Sequence, residues 1–107
     1  MNDYFHAGFS RADAADTLFN MHQEDADESF VLFRTGSEPG TYAVSTISEH
    51  GKIRHYKVRE LNQMLGMCDA DGQVQNYMDV HVFLQKIQDM GTLLQSPQSR
   101  PLFPHIK

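Results

Sequence analysis

The run Phe30-Val31-Leu32-Phe33, closed by Arg34, constrains this chain more than any other feature. Consecutive apolar residues of β-forming type read as a strand covered on both faces. Such a strand needs one layer of structure above it and another below. Side chains alternate along a strand, so Arg34 shares its face with Leu32 and Phe30. A guanidinium holds five N–H donors and cannot shed its charge, so here it requires an anion or several acceptors. An internal salt bridge, or a side chain that snorkels to water, answers that need as well as a ligand does.

The flanking sequence supplies the layers. A helix is predicted over 10–21, where Ser10 and Asp13 approximate a capping box. Ala14 with Leu18, and Ala15 with Phe19, give it an apolar stripe. The acidic stretch Glu24-Asp25-Ala26-Asp27-Glu28 reads as a solvated loop. Ser37-Glu38-Pro39-Gly40 and Glu49-His50-Gly51 are turn signals separating strands at 30–34, 41–48 and 52–59, an antiparallel meander. Residues 64–67 and 73–75, around Asp69-Ala70-Asp71-Gly72, read as a small second hairpin. A second helix follows, with Asp79 as cap, an apolar stripe of Val80, Phe83, Leu84, Ile87 and Met90, and Gly91 as stop. Three prolines make 97–104 extended. The class is α+β: a central antiparallel sheet flanked by one helix on each face, with the small second hairpin.

With 107 residues the chain has room for a single core. Its net charge of −5 argues against wholesale attraction to nucleic acid or an anionic membrane. No apolar run approaches a membrane span and no secretory signal is seen, so no membrane insertion is expected. One cysteine, Cys68, points to a reducing compartment, and cytoplasmic placement is expected. The Asp69-Ala70-Asp71-Gly72 stretch lacks the further ligands of a calcium loop and reads as a turn. The histidines lack metal-ligand spacing and Cys68 lacks a catalytic constellation, so neither metal, cofactor nor enzyme activity is expected. Met64, Met67, Met78 and Met90 read as core or pocket lining.

Positive charge is nevertheless concentrated. Lys52, Arg54, Lys57 and Arg59 fall within eight positions, and Arg34 and Arg11 bring the group to six of nine basic residues. On the third strand, parity puts Ile53, His55 and Lys57 on one face, with Arg54, Tyr56 and Val58 on the other. In a meander, His55 and Lys57 then converge with Arg34. An acidic chain that gathers its cations this way is presenting an anion site, or protecting a basic edge strand from aggregation.

At these residues the chain resembles an SH2 domain, the phosphotyrosine-peptide-binding module. The resemblance runs from Tyr4 to Pro104, leaving 1–3 and 105–107 as flanks. It is carried by Tyr4-Phe5-His6, Phe9-Ser10-Arg11 with Ala14, Phe30 to Arg34, Pro39-Gly40-Thr41-Tyr42-Ala43-Val44-Ser45, Gly51-Lys52-Ile53-Arg54-His55-Tyr56-Lys57-Val58, the second helix, and Pro101-Leu102-Phe103-Pro104. Tyr4 stands where the family has Trp, Gly36 where it commonly has Ser, and the stretch from Arg59 to Tyr77 matches least.

The resemblance implies a non-catalytic module whose partner is a tyrosine-phosphorylated protein or peptide, bound in extended form by a monomer during tyrosine-kinase signalling. Arg34 would grip two phosphate oxygens. Arg11 would reach the phosphate and lie over the phenol ring, Lys57 would flank the ring, and His55 would support the pocket. Thr35, Gly36, Ser37 and Glu38 would form the phosphate loop. Tyr56, then an apolar patch of Leu65 and Met67 with Tyr77 nearby, would read the residues after phosphotyrosine. The competing reading is a structural SH2-like domain that packs within a larger protein and binds no phosphopeptide.

Overall fold

The computed structural model describes residues 4–38, 40–96 and 102. Eight elements follow one another: β1 (Phe5–His6), α1 (Arg11–Glu24), β2 (Phe30–Thr35), β3 (Thr41–Ile47), β4 (Ile53–Leu61), β5 (Met64–Met67), α2 (Val80–Gln88) and β6 (Thr92–Leu93). The sheet runs β1-β2-β3-β4-β5. β2 to β5 are antiparallel, whereas β1 and β6 pair in parallel with β2. These two-residue strands carry too little pattern to be read from sequence.

β2 is the strand its apolar run demands. Phe30 to Arg34 are all buried. On one face Phe30, Leu32 and Ile47 pack with Ala14 and Leu18 of α1. On the other, Val31, Phe33, Val44 and Val58 pack with Phe83, Leu84 and Ile87 of α2. One helix therefore covers each face. α1 starts at a complete capping box: the Ser10 hydroxyl accepts from Asp13 N, and the Asp13 carboxylate accepts from Ser10 N. Its stripe is narrower than predicted, since Phe19 is half exposed. Asp79 caps α2 through His81 N. Gly91 marks a close approach, because a Cβ there would lie 2.8 Å from the Ser29 carbonyl carbon.

The second hairpin is corrected. β5 joins the main sheet against β4, with Leu61 opposite Met64. Asn62 and Gln63 turn the chain, both at positive φ, as the tight hairpin turn requires. Of the second arm at 73–75, only a single bridge between Cys68 and Val74 remains. The extended tail at 97–104 lies outside the described residues except for Leu102, which is buried and accepts a 3.0 Å hydrogen bond from the Tyr42 hydroxyl.

Candidate functional site

Strand register assembles the site on the α1 face. Arg34 stands opposite Ala43, which stands opposite Lys57; one step along, Leu32, Ser45 and His55 form the next row. Ala43 is the small member between two long cations, so the sheet is hollow there. The hollow is a cavity of about 520 Å³, with Arg34, His55 and Lys57 on its sheet side. Phe9, Ser10 and Arg11 line it from α1 and the preceding loop, and Thr35, Gly36 and Ser37 from the β2–β3 loop.

Arg34 is only 5% exposed. Its Nε–H donates to Ser45 Oγ at 2.9 Å and one Nη1–H to the Thr35 carbonyl at 3.2 Å. Nη2 lies 3.4 Å from His55 Nδ1. No carboxylate pairs with it among the described residues. The internal salt bridge that the sequence left open is therefore not formed there. Of five guanidinium donors, three are placed and two remain.

Ser45, fully buried, links Arg34 to the histidine. Its Oγ accepts from Arg34, which leaves its own proton to donate to His55 Nδ1 at 2.7 Å. Nδ1 is then the ring's acceptor and Nε2 carries the proton. Burial holds the His55 pKa below its ordinary value, and the positive charges of Arg11 and Arg34 add to this. The imidazole is therefore kept neutral, as a donor at Nε2. Burial, then Arg11, also lower the Arg34 pKa, although a guanidinium stays charged. Arg11 occupies the first turn of α1, where the helix dipole disfavours a cation. Two guanidinium groups and a helix N-terminus facing one cavity repel each other until an anion enters.

The β2–β3 loop is folded on itself. Gly36 N donates to the Thr41 carbonyl at 2.8 Å, and Thr41 N and its hydroxyl donate to the Glu38 carbonyl at 3.1 and 2.6 Å. A Cβ at Gly36 would lie 2.9 Å from the Thr41 carbonyl carbon, which is why a glycine stands there. Ser37 is exposed at the cavity wall, with its donors unclaimed among the described residues. The Thr35 hydroxyl, predicted to contact ligand, instead accepts from Gly8 N at 3.1 Å and ties the loop before α1 to β2. The Glu38 carboxylate lies 3.7 Å from Lys57 Nζ but does not itself line the cavity. The acidic residues 24–28 do not line the cavity.

The predicted apolar patch is partly corrected. Leu65 is fully buried in the core and Tyr77 is half-buried, and neither lines the apolar pocket. That pocket, about 340 Å³, lies between β5 and α2 and is built from Met67, Met78, Phe83, Ile87 and Met90, with Lys86 and Asp89 at its rim. Tyr56 packs against the α2-side core and borders the Arg34 cavity. Sequence reasoning missed Ser45, although a polar residue at an inward position beside Arg34 was the signal. It also missed Phe83 and Ile87, which read simply as core.

The family model of the SH2 domain matches residues 4–90. Among solved structures 84 chains match. One, CED-2, is similar with a TM-score of 0.61 at 17% identity, over 91% of this chain and 61% of that one. The likeness shows a shared fold, and this chain spans about three fifths of that structure's length. Comparison with curated proteins finds no match. The two-helix sheet and the arginine-floored cavity are thus explained by a match that spans most of the sequence: the chain belongs to the SH2 domain family.

Proposed function

We propose that the chain binds tyrosine-phosphorylated peptide segments through the Arg34 cavity. One observation carries the reading: a guanidinium 5% exposed, with two unplaced donors and no carboxylate partner among the described residues. A buried cation without a counter-ion is costly to hold, and a phosphoryl group of charge about −1.5 to −2 relieves that cost. Arg34 takes two phosphate oxygens in a fork. Arg11 and His55 Nε2–H approach from the sides, and Ser37 supplies loop donors. Lys57 exchanges Glu38 for the ligand. Thr35 holds the loop before α1 in place without touching the phosphate. SH2 domains are binding modules, and no catalytic step is assigned.

Depth sets the choice of amino acid: phosphoserine is too short to bring its phosphate down to Arg34. Past Tyr56, the methionine-lined pocket accepts an apolar side chain, placed at the third residue after phosphotyrosine. Its burial contributes up to about 1.5–3 kcal/mol, less the cost of ordering.

A second reading, a domain that packs within a larger protein and binds no phosphopeptide, draws on the Gly36 N–H already bonded to Thr41 and on Lys57 already paired with Glu38. Titration with one peptide carrying phosphotyrosine, phosphoserine or plain tyrosine separates them. Binding of the first alone supports phosphotyrosine recognition; binding of none favours the packing role. Replacing Ile by Asp at the third following position should weaken binding, and equal affinities would remove the apolar pocket from recognition.

A further inference from the structure

Six of the 107 residues are methionine, and three of the six line one pocket. Met67 comes from the end of β5, Met78 from the segment before α2 and Met90 from the segment after it. With Phe83 and Ile87 of α2 they enclose about 340 Å³. All three methionines are half-buried, so they are seated in the wall and still meet solvent. The other described methionines, Met21 and Met64, do not line this pocket.

A thioether suits the pocket in one chemical state and spoils it in another. As the free sulfide it is apolar, polarisable and adaptable, and it wraps an aliphatic guest. Oxidation to the sulfoxide makes the side chain polar and chiral, with an oxygen that seeks a hydrogen-bond donor. Leucine would build an apolar wall of similar volume without that second state. The rim holds donors for the oxygen, since Asn76 and Lys86 both line the pocket and are exposed. Asp89 also lines it, but no salt bridge joins Asp89 to Lys86 among the described residues. A sulfoxide that turns towards these donors stays in the wall, and the space for the aliphatic guest becomes polar.

We propose that Met67, Met78 and Met90 form an oxidation site for hydrogen peroxide, and that their sulfoxides abolish recognition of the third residue after phosphotyrosine. In each transfer a sulfur lone pair attacks one peroxide oxygen. The S–O bond forms as the O–O bond breaks, the proton on the transferred oxygen passes to the departing hydroxide, and water leaves. Sulfur is oxidised by two electrons and the peroxide is reduced by two. Methionine sulfoxide reductases reverse the change. The proposal rests on the phosphotyrosine reading above and adds a redox condition to one of its two contacts. The Arg34 cavity is lined by no methionine, so its grip on phosphate persists.

The test uses the intact chain carrying Cys68→Ser, which removes its one thiol. Two phosphotyrosine peptides, with Ile or Asp at the third following position, are titrated before and after hydrogen peroxide, while mass mapping follows oxygen on each methionine. With the three pocket methionines oxidised, the Kd of the Ile peptide should rise roughly tenfold, equivalent to about 1.4 kcal/mol. The Asp peptide should keep its Kd, and plain tyrosine should still fail to bind. Methionine sulfoxide reductases should restore the preference for Ile without any substitution in the pocket. A chain with Met67→Leu, Met78→Leu and Met90→Leu should show the same Ile-peptide Kd before and after peroxide, whatever its starting value. An Ile preference that survives oxidation of all three, or a peroxide effect that persists in the triple-leucine chain, overturns the switch. Peroxide that oxidises Met21 and Met64 but spares the three overturns the site. An untreated protein that prefers neither peptide removes the apolar pocket, and the switch with it, while leaving phosphotyrosine binding intact. Failure of both peptides to bind overturns the phosphotyrosine reading itself.

Discussion

Arg34→Lys keeps the charge at the cavity floor and removes its shape. In the wild-type chain Nε is anchored on Ser45, which orients the guanidinium so that its two unplaced donors form a rigid fork. A lysine has no Nε–H to anchor and presents a point charge on a flexible stem. Truncating one partner of a desolvated, hydrogen-bonded charge pair costs about 2–5 kcal/mol, and retention of charge puts this substitution near the low end. A loss of about 2 kcal/mol is roughly a thirtyfold rise in Kd. Arg34→Met goes further: binding should disappear while the melting temperature stays level or rises, because removing an unpaired buried cation relieves its desolvation. Calorimetric titration with one phosphotyrosine peptide at fixed salt, beside thermal melts of all three proteins, reads both quantities. Equal Kd values for wild type and Arg34→Lys would refute the fork. An Arg34→Met protein that melts several degrees lower would show the guanidinium to be a brace for the fold.

Three further outcomes are expected. Ser45→Ala leaves the Arg34 Nε–H without its acceptor in a buried position, a cost of about 1–3 kcal/mol; both melting temperature and phosphopeptide affinity should fall, and no change in either dismisses the relay. Gly36→Ser, which restores the residue the family commonly has, should lower the melting temperature without improving affinity, since its Cβ collides with the Thr41 backbone; tighter binding would contradict this. Burial lowers the pKa of both His6 and His55. At His6 the hydrogen bond to the Leu94 carbonyl opposes the shift without reversing it, and at His55 the charges of Arg11 and Arg34 add to it. The unfolded chain therefore takes up protons at about pH 6.5 that the fold excludes. Stability should be full above that pH and fall as the pH drops towards the two folded-state values. Denaturant titrations at about pH 7.5 and about pH 5.5 measure this, and equal stabilities would sink it.

The fold was legible wherever a long element carried a period. β2 announced itself by four apolar residues, α2 by its stripe and α1 by Ser10 and Asp13. β1 and β6 were hidden because two residues have no period, and both are held by β2 in parallel, a pairing no local signal encodes. The β4–β5 turn escaped for a different reason. Asn62 suits positive φ, but Gln63 does not advertise it, whereas Asp71-Gly72 does. The stronger local turn signal therefore drew the reading to 69–72, where the chain does turn but holds only the Cys68–Val74 bridge, and away from the β4–β5 hairpin. Phe19 shows the limit of a helical stripe, since i,i+4 spacing cannot say how wide the covering sheet is.

At the site, alternation and register recovered which side chains meet and failed on how deep each one sits. Arg34, His55 and Lys57 were brought together by parity alone, because three strands in a meander leave little freedom in which faces coincide. Leu65 and Met67 also share parity, yet of the two Met67 alone lines the apolar pocket. Leu65 lies opposite Glu60 on β4 and is bridged on its other side to Met78 through paired 2.8 Å backbone hydrogen bonds, so it is enclosed. Met67 is the last residue of β5, where the chain departs towards Cys68 and the covering layer opens. Ser45 is the converse case: its hydroxyl sits at an inward position between Leu32 and His55, and the sequence reading assigned it no role. Its meaning depends on Arg34 being buried without a carboxylate, a fact of three dimensions. A buried hydroxyl beside an arginine is uninformative when the arginine has an acid partner. When it has none, the hydroxyl shows how the empty guanidinium is held ready.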